Sequence, residues 1–84
     1  MARKPLYELV LDKMEEKIPR VISSDLAELE LRELGEMLCK ASDLESYKHA
    51  IVARVREMSK KLSPKGDERK TLKYLAELEL ALQF

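Results

Sequence analysis

Leu72-Lys73-Tyr74-Leu75-Ala76-Glu77-Leu78-Glu79-Leu80-Ala81-Leu82-Gln83-Phe84 reads as a helix that is apolar on nearly every side. At 100° per residue only Lys73, Glu77, Glu79 and Gln83 point toward water, and these four do not share a face. A surface helix of a small protein shows one apolar stripe, and one that is apolar all round is buried on more than one side. The segment therefore demands other helices to pack on, and in a chain of 84 residues it also implies a partner. Its candidate interface residues are Leu72, Tyr74, Leu78, Leu80, Ala81 and Phe84.

Working back from that segment, three more helical stretches appear, predicted near residues 5–18, 26–41 and 43–62, with the last near 68–83. Pro5 suits a first helical position, where its missing N–H costs nothing. Leu6, Tyr7, Val10, Leu11, Met14 and Ile18 follow as one stripe, and Pro19 is expected to end or kink that helix. Asp25 with Glu28 reads as a capping pair for the second helix. Its inward face is expected to be Leu26, Ala27, Leu31, Leu34, Met37, Leu38 and Ala41, with Gly35 outside, marking a kink or a close helix approach. Ser42-Asp43-Leu44-Glu45 is a capping box for the third helix. Leu44, Tyr47, Ile51, Val55, Met58 and Leu62 follow it at helical spacing, and Pro64 with Gly66 ends the run. Asp67 is expected to cap the fourth.

The reading is a single all-α domain over 1–84, a compact four-helix, mostly up-and-down bundle with short connections at 19–24, 41–43 and 63–67. Its core is predicted to hold Leu11, Met14, Leu31, Leu34, Leu38, Ile51, Val55, Met58, Leu75 and Leu82. Fifteen Leu against one Phe and no Trp favour helix-on-helix packing over a sandwich or barrel.

Composition narrows the functional classes. No apolar run approaches the roughly 20 residues of a membrane span, and no signal-peptide pattern follows the basic start Arg3-Lys4. A single cysteine, Cys39, precludes an intramolecular disulfide and suits a reducing cytoplasm. Abundant Lys, Glu and Arg with no Asn match the usage of thermophile proteins. Cys39 and the lone His49 do not assemble a nucleophile, a base and an orienting group, so no catalytic residue is assigned. Glu45 and His49 share a helix face, but two ligands do not make a metal site. No Walker loop, EF-hand or glycine-rich phosphate loop is present, so no metal, cofactor or small-molecule ligand is predicted.

The charges balance to zero but are segregated. Residues 25–47 hold seven acidic against two basic side chains, and 48–73 hold nine basic against three acidic. Neighbouring helices can neutralise each other in this way. Alternatively His49, Arg56, Lys60, Lys61, Lys65, Arg69, Lys70 and Lys73 form a strip for DNA or RNA phosphates, without interleaved aromatics for stacking. The favoured expectation is a non-enzymatic interaction module that forms a homodimer through its last helix, with Leu9 assisting. Docking on a larger protein is the further alternative.

The order of features also resembles the helical domain of archaeal GINS replication-complex subunits. The resemblance is carried by Leu6-Tyr7-Glu8-Leu9, by the Ile18-Pro19 break, and by a later helix with Tyr47, Ala50, Arg54, Arg56, Lys60 and Lys61. It implies a subunit of a larger assembly. The chain departs from that family in its shortness, in lacking the small β domain and in the placing of its basic cluster.

Overall fold

The computed structural model describes residues 4–41 and 44–83, and these form four helices with no strand among the described residues. They are α1 (Leu6–Val21), α2 (Asp25–Cys39), α3 (Leu44–Lys60) and α4 (Glu68–Leu82). The all-α four-helix bundle expected from periodicity is the fold.

α1 starts one residue later than expected, with Pro5 as the N-cap residue and its carbonyl accepting from the amides of Glu8 and Leu9. At the other end Pro19 neither ends nor breaks the helix. Only the carbonyl of Glu15 loses its usual donor, Pro19 lies on the exposed side, and just Arg20 and Val21 remain beyond it. The cap of α2 is Ser24 rather than Asp25. Ser24 has extended backbone and its hydroxyl oxygen accepts from the Ala27 amide at 3.3 Å. Asp25 and Glu28 then fall in the first turn, where their charge suits the helix dipole. The capping box expected before α3 involves Ser42 and Asp43, which lie outside the described residues. Asp67 occupies the N-cap of α4 but its side chain makes no capping bond. Instead the Glu68 carboxylate accepts from the Ser63 amide across the connection, and Gly66 takes the left-handed conformation (φ 66°) that the turn requires.

α1 packs on α2 and α3, and α4 packs on α3 and α2, so the order around the bundle is α1, α2, α4, α3. α1–α2 and α3–α4 are antiparallel hairpins, tied by Lys17–Glu30 in the first and Arg56–Glu79 in the second. The hairpins meet with α1 parallel to α3. Tyr7 stacks on Tyr47 (centroids 4.7 Å apart) near the start of both, and farther along Arg54 reaches Asp12 and Glu15, each at 3.0 Å. α2 is likewise parallel to α4, through Lys70–Glu28 at 2.7 Å and Arg32 over the Tyr74 ring at 4.8 Å.

The core contains Leu11, Met14, Leu31, Leu38, Ile51, Val55, Met58, Leu75 and Leu82, as the spacing required, with Leu34 half-buried against it. One position read as outer turns out to be inner. Gly35 is buried against α4, where a Cβ would overlap the Tyr74 hydroxyl, so this glycine marks a close approach and not an exposed kink. Tyr7, Val10, Ile18, Ala27, Val52 and Leu78 are buried as well. Conversely Leu26 (65% exposed), Met37 (52%) and Leu6 (62%), all expected inside, stand in solvent. On α2 the stripe Ala27–Leu31–Gly35–Leu38 faces the core, which turns Leu26 and Met37 more than 100° away from it.

Candidate interaction surface

The fourth helix spends most of its apolar surface inside the bundle. Thr71, Leu75, Leu78 and Leu82 form its buried face, so Leu78, expected at an interface, is a core residue at 5% exposure. Tyr74 is half-buried over Gly35, and Leu72 is half-buried as well. Of the expected interface residues only Leu80 and Ala81 are exposed, and Phe84 lies outside the described residues. One large apolar side chain on α4 is an ordinary surface feature.

The exposed apolar side chains gather elsewhere. Of the eight large ones among the described residues, Leu6 and Leu9 are on α1, Leu26, Leu29 and Met37 on α2, and Ile22 at the turn between them. Helical geometry sets most of these on one surface. With the buried stripe of α1 toward the core and its Asp12–Glu15 side toward α3, Leu6, Leu9, Lys13 and Arg20 fall on the side shared with α2 and turned outward. With Glu28 and Arg32 marking the α4 side of α2, Leu26, Glu33 and Met37 fall on the matching outward side, with Leu29 at its rim. A groove lined by Lys17, Arg20, Leu26, Ala27 and Glu30 runs between the two helices on this side. The signal was present in the sequence as leucines outside the core stripes, Leu9 and Leu29, but the sequence alone put Leu26 and Met37 inside.

The basic strip is divided by the fold. Arg56 pairs with Glu79, Lys61 with Glu15 at 2.8 Å, and Lys70 with Glu28 at 2.7 Å. Lys61 therefore turns to α1 and Lys70 to α2, leaving His49, Arg56 and Lys60 on the outer α3–α4 side. Arg69, Lys70 and Lys73 border a separate cleft of about 500 Å³ with Ser23, Ser24 and Asp25. Lys65 is exposed in the α3–α4 connection. The eight side chains of the strip thus lie on more than one side of the bundle.

The pairing shifts ionisation. The Arg54 guanidinium, then the Lys4 ammonium, holds the Asp12 carboxyl below its ordinary value, and Lys61 does the same for Glu15. Lys70 lowers Glu28 and is itself raised by it. Burial pushes the Cys39 thiol up, which makes it a poorer nucleophile. Cys39 sits beside Tyr74 and Ala81, whereas His49 borders a different cleft with Arg56 and Gln83. Among the described residues no group of three or more His, Cys, Asp or Glu is placed to hold a metal ion, and no helix is long and apolar enough to cross a membrane.

No family model, curated protein or solved structure matches the chain.

Proposed function

We propose that this chain is a non-enzymatic protein-interaction module that self-associates, and that its docking face is the outer side of the α1–α2 hairpin rather than the C-terminal helix. The observation that supports this reading is the gathering of Leu6, Leu9, Leu26 and Met37 on one side while α4 leaves only Leu80 as a large exposed apolar residue. Leucines and methionine interspersed with Lys13, Arg20 and Glu33 match the apolar centre and charged rim of a protein–protein interface. Covering those side chains removes apolar area from water at roughly 25 cal/mol per Å², against the cost of association.

Absolute mass by light scattering during gel filtration, across a concentration series, tests it. The wild type is expected above monomer mass, with Leu9→Glu and Met37→Glu returning it to monomer and Leu80→Glu leaving it assembled. The opposite pattern, assembly lost only on Leu80→Glu, would return the interface to α4.

A further inference from the structure

The α1–α2 face is on balance positive along α1 and negative along α2. The α1 side presents Lys13 and Arg20 with Glu16 between them, and Lys17 at the seam. The α2 side presents Glu33, with Glu30 at the seam and Lys40 at the helix end. Lys17 and Glu30 face each other and set the level of one helix against the other. One helical turn back along α1 and one forward along α2, Lys13 and Glu33 come level to within a residue, a rise of about 1.5 Å. A further turn brings Leu9 level with Met37 in the same way. Neither Lys13 nor Glu33 has an ion partner among the described residues.

Two copies can meet on this face about either of two simple two-fold axes. An axis across the helices lays α1 on the partner's α1 and α2 on the partner's α2, so the mainly cationic side meets its like. An axis parallel to the helices lays α1 on the partner's α2 at the same level, so Lys13 meets Glu33 and the two sides attract on balance, with Glu16 near the partner's Glu30 as the one like-charge approach. Like charges directly opposed are destabilising, and a two-fold contact repeats the penalty.

Resting on the α1–α2 reading above, we propose that the partner is a second copy of this chain, related by a two-fold axis parallel to the helices. Lys13 of each copy then faces the partner's Glu33, and Leu9 faces the partner's Met37. The dimer interface is itself a four-helix layer, with α1 and α2 from each copy. Each Lys13–Glu33 contact lies at the rim, where it selects the arrangement more than it drives it.

A mixing experiment separates this arrangement from others. Lys13→Glu and Glu33→Lys are each prepared alone, their helicity checked by circular dichroism, and their mass followed by light scattering at about 50 mM salt, where screening is weak. Either variant alone opposes like charges at both symmetric contacts and is expected to dimerise about tenfold or more weakly than wild type. An equimolar mixture restores unlike charges at both contacts and is expected to dimerise within about threefold of wild type. Pairing inside one chain cannot produce that recovery, because positions 13 and 33 of each variant carry the same sign. Wild-type dimerisation by each variant alone, or a mixture as weak as its components, overturns the arrangement. Leu9→Glu in the same series distinguishes the two levels of the argument. If it dissociates the dimer while the charge variants do not, the face stands and the axis falls. If it too leaves the dimer intact, or the wild type is a monomer throughout, both fall.

Discussion

Gly35 offers the sharpest test of how α2 and α4 approach each other. An alanine there gains helix propensity worth about 1 kcal/mol. It also places a Cβ onto the Tyr74 hydroxyl, 3.2 Å from Tyr74 Cζ and 3.5 Å from Leu78 Cδ1. The phenol must then swing off α2, and overfilling of a packed site costs about 1–3 kcal/mol. The swing also forfeits the stacking of the Arg32 guanidinium on the Tyr74 ring, about 0.5–1 kcal/mol. Gly35→Ala is therefore expected to destabilise by about 0.5–3 kcal/mol, lowering the thermal midpoint at about 4–8 °C per kcal/mol for a domain this small. Tyr74→Phe removes the overlapping oxygen and keeps the ring on Arg32, so in that background Gly35→Ala is expected to stabilise by about 0.5–1 kcal/mol. Urea unfolding of the four proteins gives the coupling energy directly. A second readout is the Tyr74 hydroxyl, which burial raises above its ordinary value and which should return toward it in Gly35→Ala by ultraviolet titration. Coupling below about 0.5 kcal/mol, the level of independent sites, would refute the close-approach account.

Other outcomes are expected from single features. The Thr71 hydroxyl is buried without a hydrogen-bond partner, so Thr71→Val should stabilise by about 1 kcal/mol in thermal unfolding, whereas an intact or lower midpoint would mean the hydroxyl is satisfied. Asp12, Glu15 and Glu28 titrate below their ordinary values of 3.8, 4.5 and 4.5. The unfolded chain therefore binds protons first, so the stability they contribute is complete near neutral pH and is lost as pH falls through their depressed folded-state values. A thermal midpoint that is level from pH 7 to about 5 and falls below that is the expected profile. Arg54→Met should cost about 1 kcal/mol, modest because the cluster is partly in water, and should move the Asp12 titration seen by NMR back up.

The helices and most of the core were legible because Leu11, Met14, Ile51, Val55, Leu75 and Leu82 recur at a spacing that admits one reading. α2 was harder. With Leu at 26, 29, 31, 34 and 38 and Met at 37, its apolar arc spans more than half the helix, so periodicity alone allows several inward directions. Gly35 fixes the direction, because only a residue without a side chain admits Tyr74, and that choice turns Leu26 and Met37 outward. The same packing decided α4, whose all-round apolar character reflects contact with both α2 and α3. Pro19 misled because a proline is expected to end or kink a helix, while only Arg20 and Val21 lie beyond it, which leaves little to break. The exposed apolar face of the α1–α2 hairpin was least legible, since it depends on which leucines the other helices leave uncovered.

The parallel seating of α1 on α3 has a consequence in time. Each hairpin closes through a short turn and can form from neighbouring sequence, whereas the hairpins meet only after the segment between α2 and α3 has brought them side by side. Docking is therefore expected to be the late event. The Tyr7–Tyr47 stack lies across that seam in a chain without tryptophan, so tyrosine emission follows docking while far-ultraviolet dichroism follows the helices. If the seam is sealed after the rate-limiting step, Arg54→Met will hasten unfolding and leave refolding nearly unchanged, so the ion cluster would govern how long the native state lasts rather than how soon it is reached.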